Sequence, residues 1–217
     1  MKTALVIGAT GLTGKHIVSN LLDSNAYAKV VIFTRRELPL DNPKLVCKIV
    51  DFYKIDEWAG EIQGDDLFSA LGTTIKQAGS KDNFYKVDYT FQANFLKHAA
   101  ANGVGRVFLI SAPGVSVRSP VFYNRVKAKL DTYARTLAFQ TLVFFRPSII
   151  YGNREDSRPG ERFGEKLLSF TANWVPSMKR LKPISGDELG SAIVNCAQSD
   201  LAPGEHNIEW SAIFNLL

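Results

Sequence analysis

Ser111, Tyr123 and Lys127 have the types and spacing for proton-transfer chemistry. Tyr123 and Lys127 stand four residues apart, so a helix would set them on one face. A phenol titrates at about 10, and an ammonium beside it stabilises the phenolate and lowers that value. Such a tyrosine can hand a proton to a carbonyl oxygen while hydride reaches the carbon. Ser111, twelve residues before Tyr123, is placed to hydrogen-bond the same oxygen. A tyrosine and a lysine at this spacing are common by accident, so the reading depends on what accompanies them.

What accompanies them is Gly8-Ala9-Thr10-Gly11-Leu12-Thr13-Gly14, directly after an apolar run and ahead of an amphipathic stretch. A tight turn, a close backbone approach to pyrophosphate and the N–H groups of a helix N-terminus need this arrangement. Gly8, Thr10, Gly11, Leu12, Thr13 and Gly14 are therefore expected to cradle a dinucleotide. A nucleotide P-loop fits less well, because Gly8 and Gly14 are one residue too far apart and His16 replaces the magnesium-binding hydroxyl. The second apolar run ends in Arg35 and Arg36, with no carboxylate before Glu37. Two guanidiniums there suit a ribose 2′-phosphate, so NADP(H) is expected in preference to NAD(H). Asp51 and Phe52 follow the third run, where they would meet the adenine ring. Helix capping is the competing role for Asp51.

These groups need a scaffold, and the hydrophobic pattern supplies one. Residues 3–7, 30–34, 45–50, 66–71, 107–111 and 142–146 read as strands, mostly continuous apolar runs of the kind buried on both faces of a parallel sheet. Between them, 12–22, 83–101 and 121–137 read as helices. Phe84, Val87, Phe91, Phe95 and Ala99 recur at three- and four-residue steps along the second. The alternation predicts an α/β, doubly wound parallel sheet, a Rossmann fold. We expect a single domain over 1–217, with a cofactor-binding core at 1–150 and a small substrate-side extension at 151–217. That extension opens with an irregular, charged stretch at 151–164 and has helices near 163–171 and 187–197. Ser111 ends a strand on the carboxyl side of the sheet, where ligands of such sheets bind.

The chain has 217 residues, 26 Lys plus Arg against 21 Asp plus Glu, 46% hydrophobic and 22% charged residues. These are globular values and exclude disorder as the main state. Residues 106–182 carry 14 basic and 5 acidic groups, which suits a phosphate-bearing cofactor or an acidic small-molecule substrate. Nucleic acid is not expected: there is no zinc finger, RNP-like motif or basic heptad helix. Two distant cysteines and three isolated histidines offer no metal-ligand spacing, so no metal is expected. No apolar run approaches the roughly 20 residues of a membrane helix, and residues 4–7 lack a signal-peptide pattern. The expectation is a cytoplasmic monomer or homodimer. Arg154, Arg158 and Arg162 recur at four-residue steps. Arg158 is the candidate to meet an anionic substrate group, against local pairing with Glu155, Asp156, Glu161 and Glu165.

Together, Gly8-x-x-Gly11-x-x-Gly14, Asp51, Leu71-Gly72-Thr73-Thr74, Ser111 and Tyr123-x-x-x-Lys127 resemble the short-chain dehydrogenase/reductase superfamily. The glycine spacing is that of its extended and atypical members. The segments 71–79 and 157–161 are similar to the atypical branch of Tat-interacting oxidoreductase-like proteins and their bacterial relatives. The resemblance implies an NADP-binding Rossmann domain with Tyr123 as acid/base and Ser111 orienting substrate. It implies that Lys127 holds the nicotinamide ribose and lowers the tyrosine pKa. Leu71, Gly72 and Thr73, and then Pro147, Ser148 and Ile149, would lie beside the cofactor. Extended members commonly have Asn where Val87-Asp88-Tyr89 stands, so an Asn-assisted proton relay is not expected. Two functions follow from these residues: an NADPH-dependent reductase of a small carbonyl compound, and an NADPH-binding regulatory protein with little turnover.

Overall fold

Each of the six apolar runs forms a strand of one sheet. The computed structural model describes residues 1–152 and 182–217. Its strands are β1 (Lys2–Ile7), β2 (Tyr27–Thr34), β3 (Leu45–Ile49), β4 (Asp66–Ser69), β5 (Arg106–Ile110), β6 (Thr141–Arg146), β7 (Ile150–Tyr151), β8 (Ile184–Ser185) and β9 (Gly204–Glu209). The main sheet has the order β3-β2-β1-β4-β5-β6-β9, and every neighbouring pair is parallel. β7 and β8 form a separate two-stranded ribbon. The strand order reverses between β1 and β4, which opens a crevice at the carboxyl ends of the strands. This is the doubly wound Rossmann arrangement that the alternation predicts.

Helices α1 (Gly14–Asp23), α2 (Ile55–Trp58), α3 (Ile75–Ala78), α4 (Lys81–Tyr85), α5 (Phe91–Ala101), α6 (Phe122–Arg135), α7 (Gly186–Gln198) and α8 (Ser211–Phe214) flank the sheet. Side chains alternate along a strand, so β1 feeds two cores. Ala4 and Val6 join Ile17, Val18 and Leu21 of α1 and Leu189 and Ile193 of α7. Leu5 and Ile7 join Phe95 and Leu96 of α5 and Leu130 of α6.

Three features depart from the pattern. β9 was not expected, because Gly204–Glu209 has no hydrophobic run. It is an edge strand held by ion pairs: Arg135 grips Glu205 at 2.8 and 2.9 Å, and Arg146 meets Glu209 at 2.8 Å. β2 starts three residues before 30, because Tyr27 is buried and its hydroxyl donates to Asp66 at 2.6 Å. The helix expected at 83–101 is divided by a π-helical turn at Lys86–Thr90, a local widening that hydrophobic periodicity does not register. The helix expected near 163–171 and the three arginines at 154, 158 and 162 lie outside the described residues.

Candidate cofactor and active site

The glycine turn is dictated by close packing. Gly8 has φ +80°, and a Cβ on it would collide with the backbone of Ala70 and Leu71. A Cβ on Gly14 would collide with the Gly8 carbonyl. The Gly11 N–H donates to that same carbonyl at 2.9 Å, which closes the turn. Thr13 caps α1 without a side-chain hydrogen bond, and the first turn of α1 contains no acid. The Lys15 and His16 N–H groups donate to the Gly11 and Thr13 carbonyls, and the helix offers the positive end of its dipole, which fits a pyrophosphate. Thr10 is exposed and Thr13 is buried. Leu12 is clasped from the other side: a Cβ on Gly152 or Gly186 would lie 2.7 Å or 2.5 Å from its atoms.

Arg35 and Arg36 are exposed just past β2. Asp51 caps a short 3-10 turn, its Oδ1 accepting the Tyr53 N–H at 2.9 Å, while Phe52 is buried. The capping role of Asp51 is thus the one the fold displays. Leu71, Gly72 and Thr73 follow β4 beside the switch point. Pro147, Ser148 and Ile149 follow β6, and the Ser148 hydroxyl donates to the Lys182 carbonyl at 2.6 Å.

Tyr123, Lys127 and Asp131 form one stripe of α6 at four-residue spacing. Tyr123 is 36% exposed, whereas Lys127 and Asp131 are buried. The Tyr123 ring packs against Phe84, with centroids 5.8 Å apart. Lys127 Nζ pairs with Asp88 at 3.0 Å, and the second Asp88 oxygen accepts the Thr73 N–H at 2.9 Å. Burial pulls the lysine down, but Asp88, Tyr123 and Asp131 outweigh it and the Lys127 pKa is raised.

Two expectations are corrected here. The Ser111 hydroxyl is 2.9 Å from both carboxylate oxygens of Asp131, and Ser111 is only 3% exposed. A hydroxyl has one proton to donate, and here it goes to Asp131. Nor is the Tyr123 pKa lowered. Burial raises it first, Lys127 pulls it down, and Asp88 and Asp131 push it up, so the net shift is upward.

Asp131 and Arg146 went unread in the sequence, and Asp88 was noted only as a departure from Asn. Burial holds the Asp131 pKa above the usual carboxylate range, although Ser111 and Arg146 oppose this. Arg146 Nη2 lies 3.5 Å from Asp131. The four-residue step beyond Lys127 was the available signal for Asp131. Nothing local marks Asp88, whose partners come from distant segments.

A family profile described as NAD(P)H-binding matches residues 8–141. The chain belongs to this NAD(P)H-binding family. Protein HTATIP2 of Rattus norvegicus is 34% identical over 179 residues, which cover 80% of this chain and 74% of that protein. Protein FMP52, mitochondrial, of Eremothecium gossypii is 31% identical over 220 residues, 99% of this chain and 96% of that one. These relatives bear out the resemblance to atypical short-chain dehydrogenases/reductases and to the Tat-interacting branch. MoeE5, solved in complex with UDP-glucuronic acid and NAD, superposes with a TM-score of 0.73 at 16% identity, covering 96% of this chain and 76% of that one. At that identity the likeness concerns the fold. The cytoplasmic expectation is overturned. Near-full-length fungal relatives from Eremothecium gossypii and Candida glabrata are named as mitochondrial, and a compartment is not encoded in the core that the pattern reveals.

Proposed function

We propose that the protein is an NADP(H)-dependent reductase of a small carbonyl compound, with Tyr123 as the proton donor. The observation that carries this reading is the α6 stripe, a part-exposed phenol over a buried ammonium that lies beside Gly72. Gly8, Thr10, Gly11, Leu12, Thr13 and Gly14 would hold the pyrophosphate against the α1 N-terminus. Arg35 and Arg36 would grip the 2′-phosphate, and Asp51 and Phe52 would border the adenine. Leu71, Gly72 and Thr73 would flank the cofactor on one side, and Pro147, Ser148 and Ile149 on the other. The bound dinucleotide supplies hydride. Lys127 keeps two ammonium protons beyond the one aimed at Asp88, and these would hold ribose hydroxyls. Tyr123 would place its proton at the carbonyl oxygen.

The test is Tyr123→Phe. It should bind NADPH as the wild type does and lose roughly 100-fold or more of its turnover on an accepted carbonyl probe. A fully active Phe variant would refute the assignment. One observation favours a second reading, an NADPH-responsive binding protein with little turnover: the Ser111 hydroxyl is committed to Asp131. Wild-type protein that binds NADPH tightly and turns over no aldehyde or quinone would support that reading.

A further inference from the structure

Under Tyr123 lies a closed ion pair. Lys127 Nζ and Asp88 Oδ1 are 3.0 Å apart, with side chains 5% and 1% exposed. The other Asp88 oxygen takes the Thr73 N–H. Gly72 lies against the pair: a Cβ there would stand 3.4 Å from Asp88 Oδ1 and 3.8 Å from Lys127 Nζ, in ordinary contact. The π-helical turn presents Asp88, and Gln92 fastens that turn. Its Nε2 donates to the Asp88 carbonyl at 3.1 Å, and its Oε1 accepts from the Ser69 hydroxyl of β4 at 2.8 Å. Asp88 cannot swing away without breaking charge-assisted bonds in a buried place.

The electrostatic consequence follows from the groups around the phenol. Among the described residues, from α6 it faces Lys127 and, two turns on, Asp131; from the π-helical turn it faces Asp88; and from α4 it meets the Phe84 ring. An ammonium alone would draw out the phenolate, and the carboxylate closed against it offsets part of that pull. Burial is the largest influence disfavouring the phenolate, Lys127 opposes it, Asp88 and Asp131 add to it, and the net shift at Tyr123 is upward.

We propose that Asp88 is a positioning residue which, by holding Lys127 in this ion pair, keeps Tyr123 a phenol at neutral pH and so favours carbonyl reduction, with alcohol oxidation confined to alkaline solution. The proposal rests on the reading of Tyr123 as proton donor. In the forward step the carbonyl carbon accepts hydride from the reduced dinucleotide, the π pair moves to oxygen, and the Tyr123 O–H bond breaks to protonate it. The carbonyl is reduced, the dinucleotide is oxidised, and water reprotonates the phenolate. The reverse step needs the phenolate as base, which the closed pair withholds.

The test is a tyrosinate absorbance titration of holoprotein with NADP⁺, with the same curve for Tyr123→Phe subtracted to isolate Tyr123. Asp88→Asn removes the charge and keeps an acceptor for the Thr73 N–H. It should raise the Tyr123 acid constant about tenfold or more, moving the midpoint down by a unit or more. If Asp88→Asn fails to fold, Asp88→Ser, which leaves room for water at the ammonium, should move the midpoint the same way. A midpoint that stays or rises overturns the proposal. In parallel, the pH profiles for reduction of para-nitrobenzaldehyde and oxidation of para-nitrobenzyl alcohol should both shift to lower pH in the variant. A purely structural role would depress both rates and leave the profiles in place, which also overturns it. If the titration shifts but Tyr123→Phe retains full turnover, the reading of Tyr123 as proton donor fails and the reduction claim fails with it. An unshifted titration with an inactive Tyr123→Phe overturns the role of Asp88 alone.

Discussion

Gly190→Ala sets two known magnitudes against each other. The residue lies inside α7, where exchanging glycine for alanine ordinarily adds about 1 kcal/mol of helix stability. Its Cβ, however, would sit 2.8 Å from His16 Cβ and 3.1 Å from the Ile17 nitrogen, both fixed to the α1 main chain. Carbon atoms rest about 3.5–4.0 Å apart, so the helices must separate by about 1 Å. No side chain can rotate out of the way, because the nearest atoms are the His16 Cβ and α1 main-chain atoms. Overpacking of this kind costs about 1–3 kcal/mol, so the net effect is a destabilisation of about 1 kcal/mol. For a chain of this size that is a Tm lower by about 2–4 °C. Because α1 carries the glycine turn, the NADPH Kd should also rise severalfold. Thermal melting and NADPH fluorescence titration read both quantities. Gly60→Ala is the control, since nothing lies within 4 Å of a Cβ there. A Gly190→Ala variant that melts higher than the wild type would show that helix propensity outweighs the contact, and the rigid-packing argument would fail.

Other outcomes can be measured directly. Arg35→Ala/Arg36→Ala should lower the ratio of NADPH to NADH affinity by about tenfold or more, since charge-assisted hydrogen bonds contribute about 1.5–3 kcal/mol each; an unchanged affinity ratio refutes the proposed 2′-phosphate role. The Arg135 hydrogen bonds hold the Glu205 pKa down at about 2. A folded-state value below the unfolded one stabilises the protein above the ordinary carboxylate range, and this contribution is lost as pH falls toward 2. The pair is more than a third exposed on the arginine side, so Glu205→Gln should cost only about 0.2–1 kcal/mol at neutral pH. The difference from wild type should vanish in acid melts, and a gap that persists there would count against the pair.

The sequence alone determined the sheet, the glycine turn and the shared face of Tyr123 and Lys127. Each is a local pattern: an apolar run, a glycine spacing, a step of four. Val30–Phe33 and Val107–Leu109 had to be strands buried on both sides, because nothing polar in them could face water. β9 escaped because its side chains form no apolar run: it is held by pairing with β6 and by Glu205 and Glu209, whose partners Arg135 and Arg146 belong to other elements. Only the tertiary structure decided what the polar groups do. Ser111 stands at the end of its strand as its spacing implied, yet its proton goes to Asp131, twenty residues on. Lys127 lies below Tyr123, yet burial of the phenol, with Asp88 brought there by a π-helical turn, outweighs the pull that would have lowered its pKa. Hydrophobic periodicity reports which face is buried, because burial depends on one residue's own transfer free energy. The charge state of a buried group depends on which partners the fold delivers to within a few ångströms.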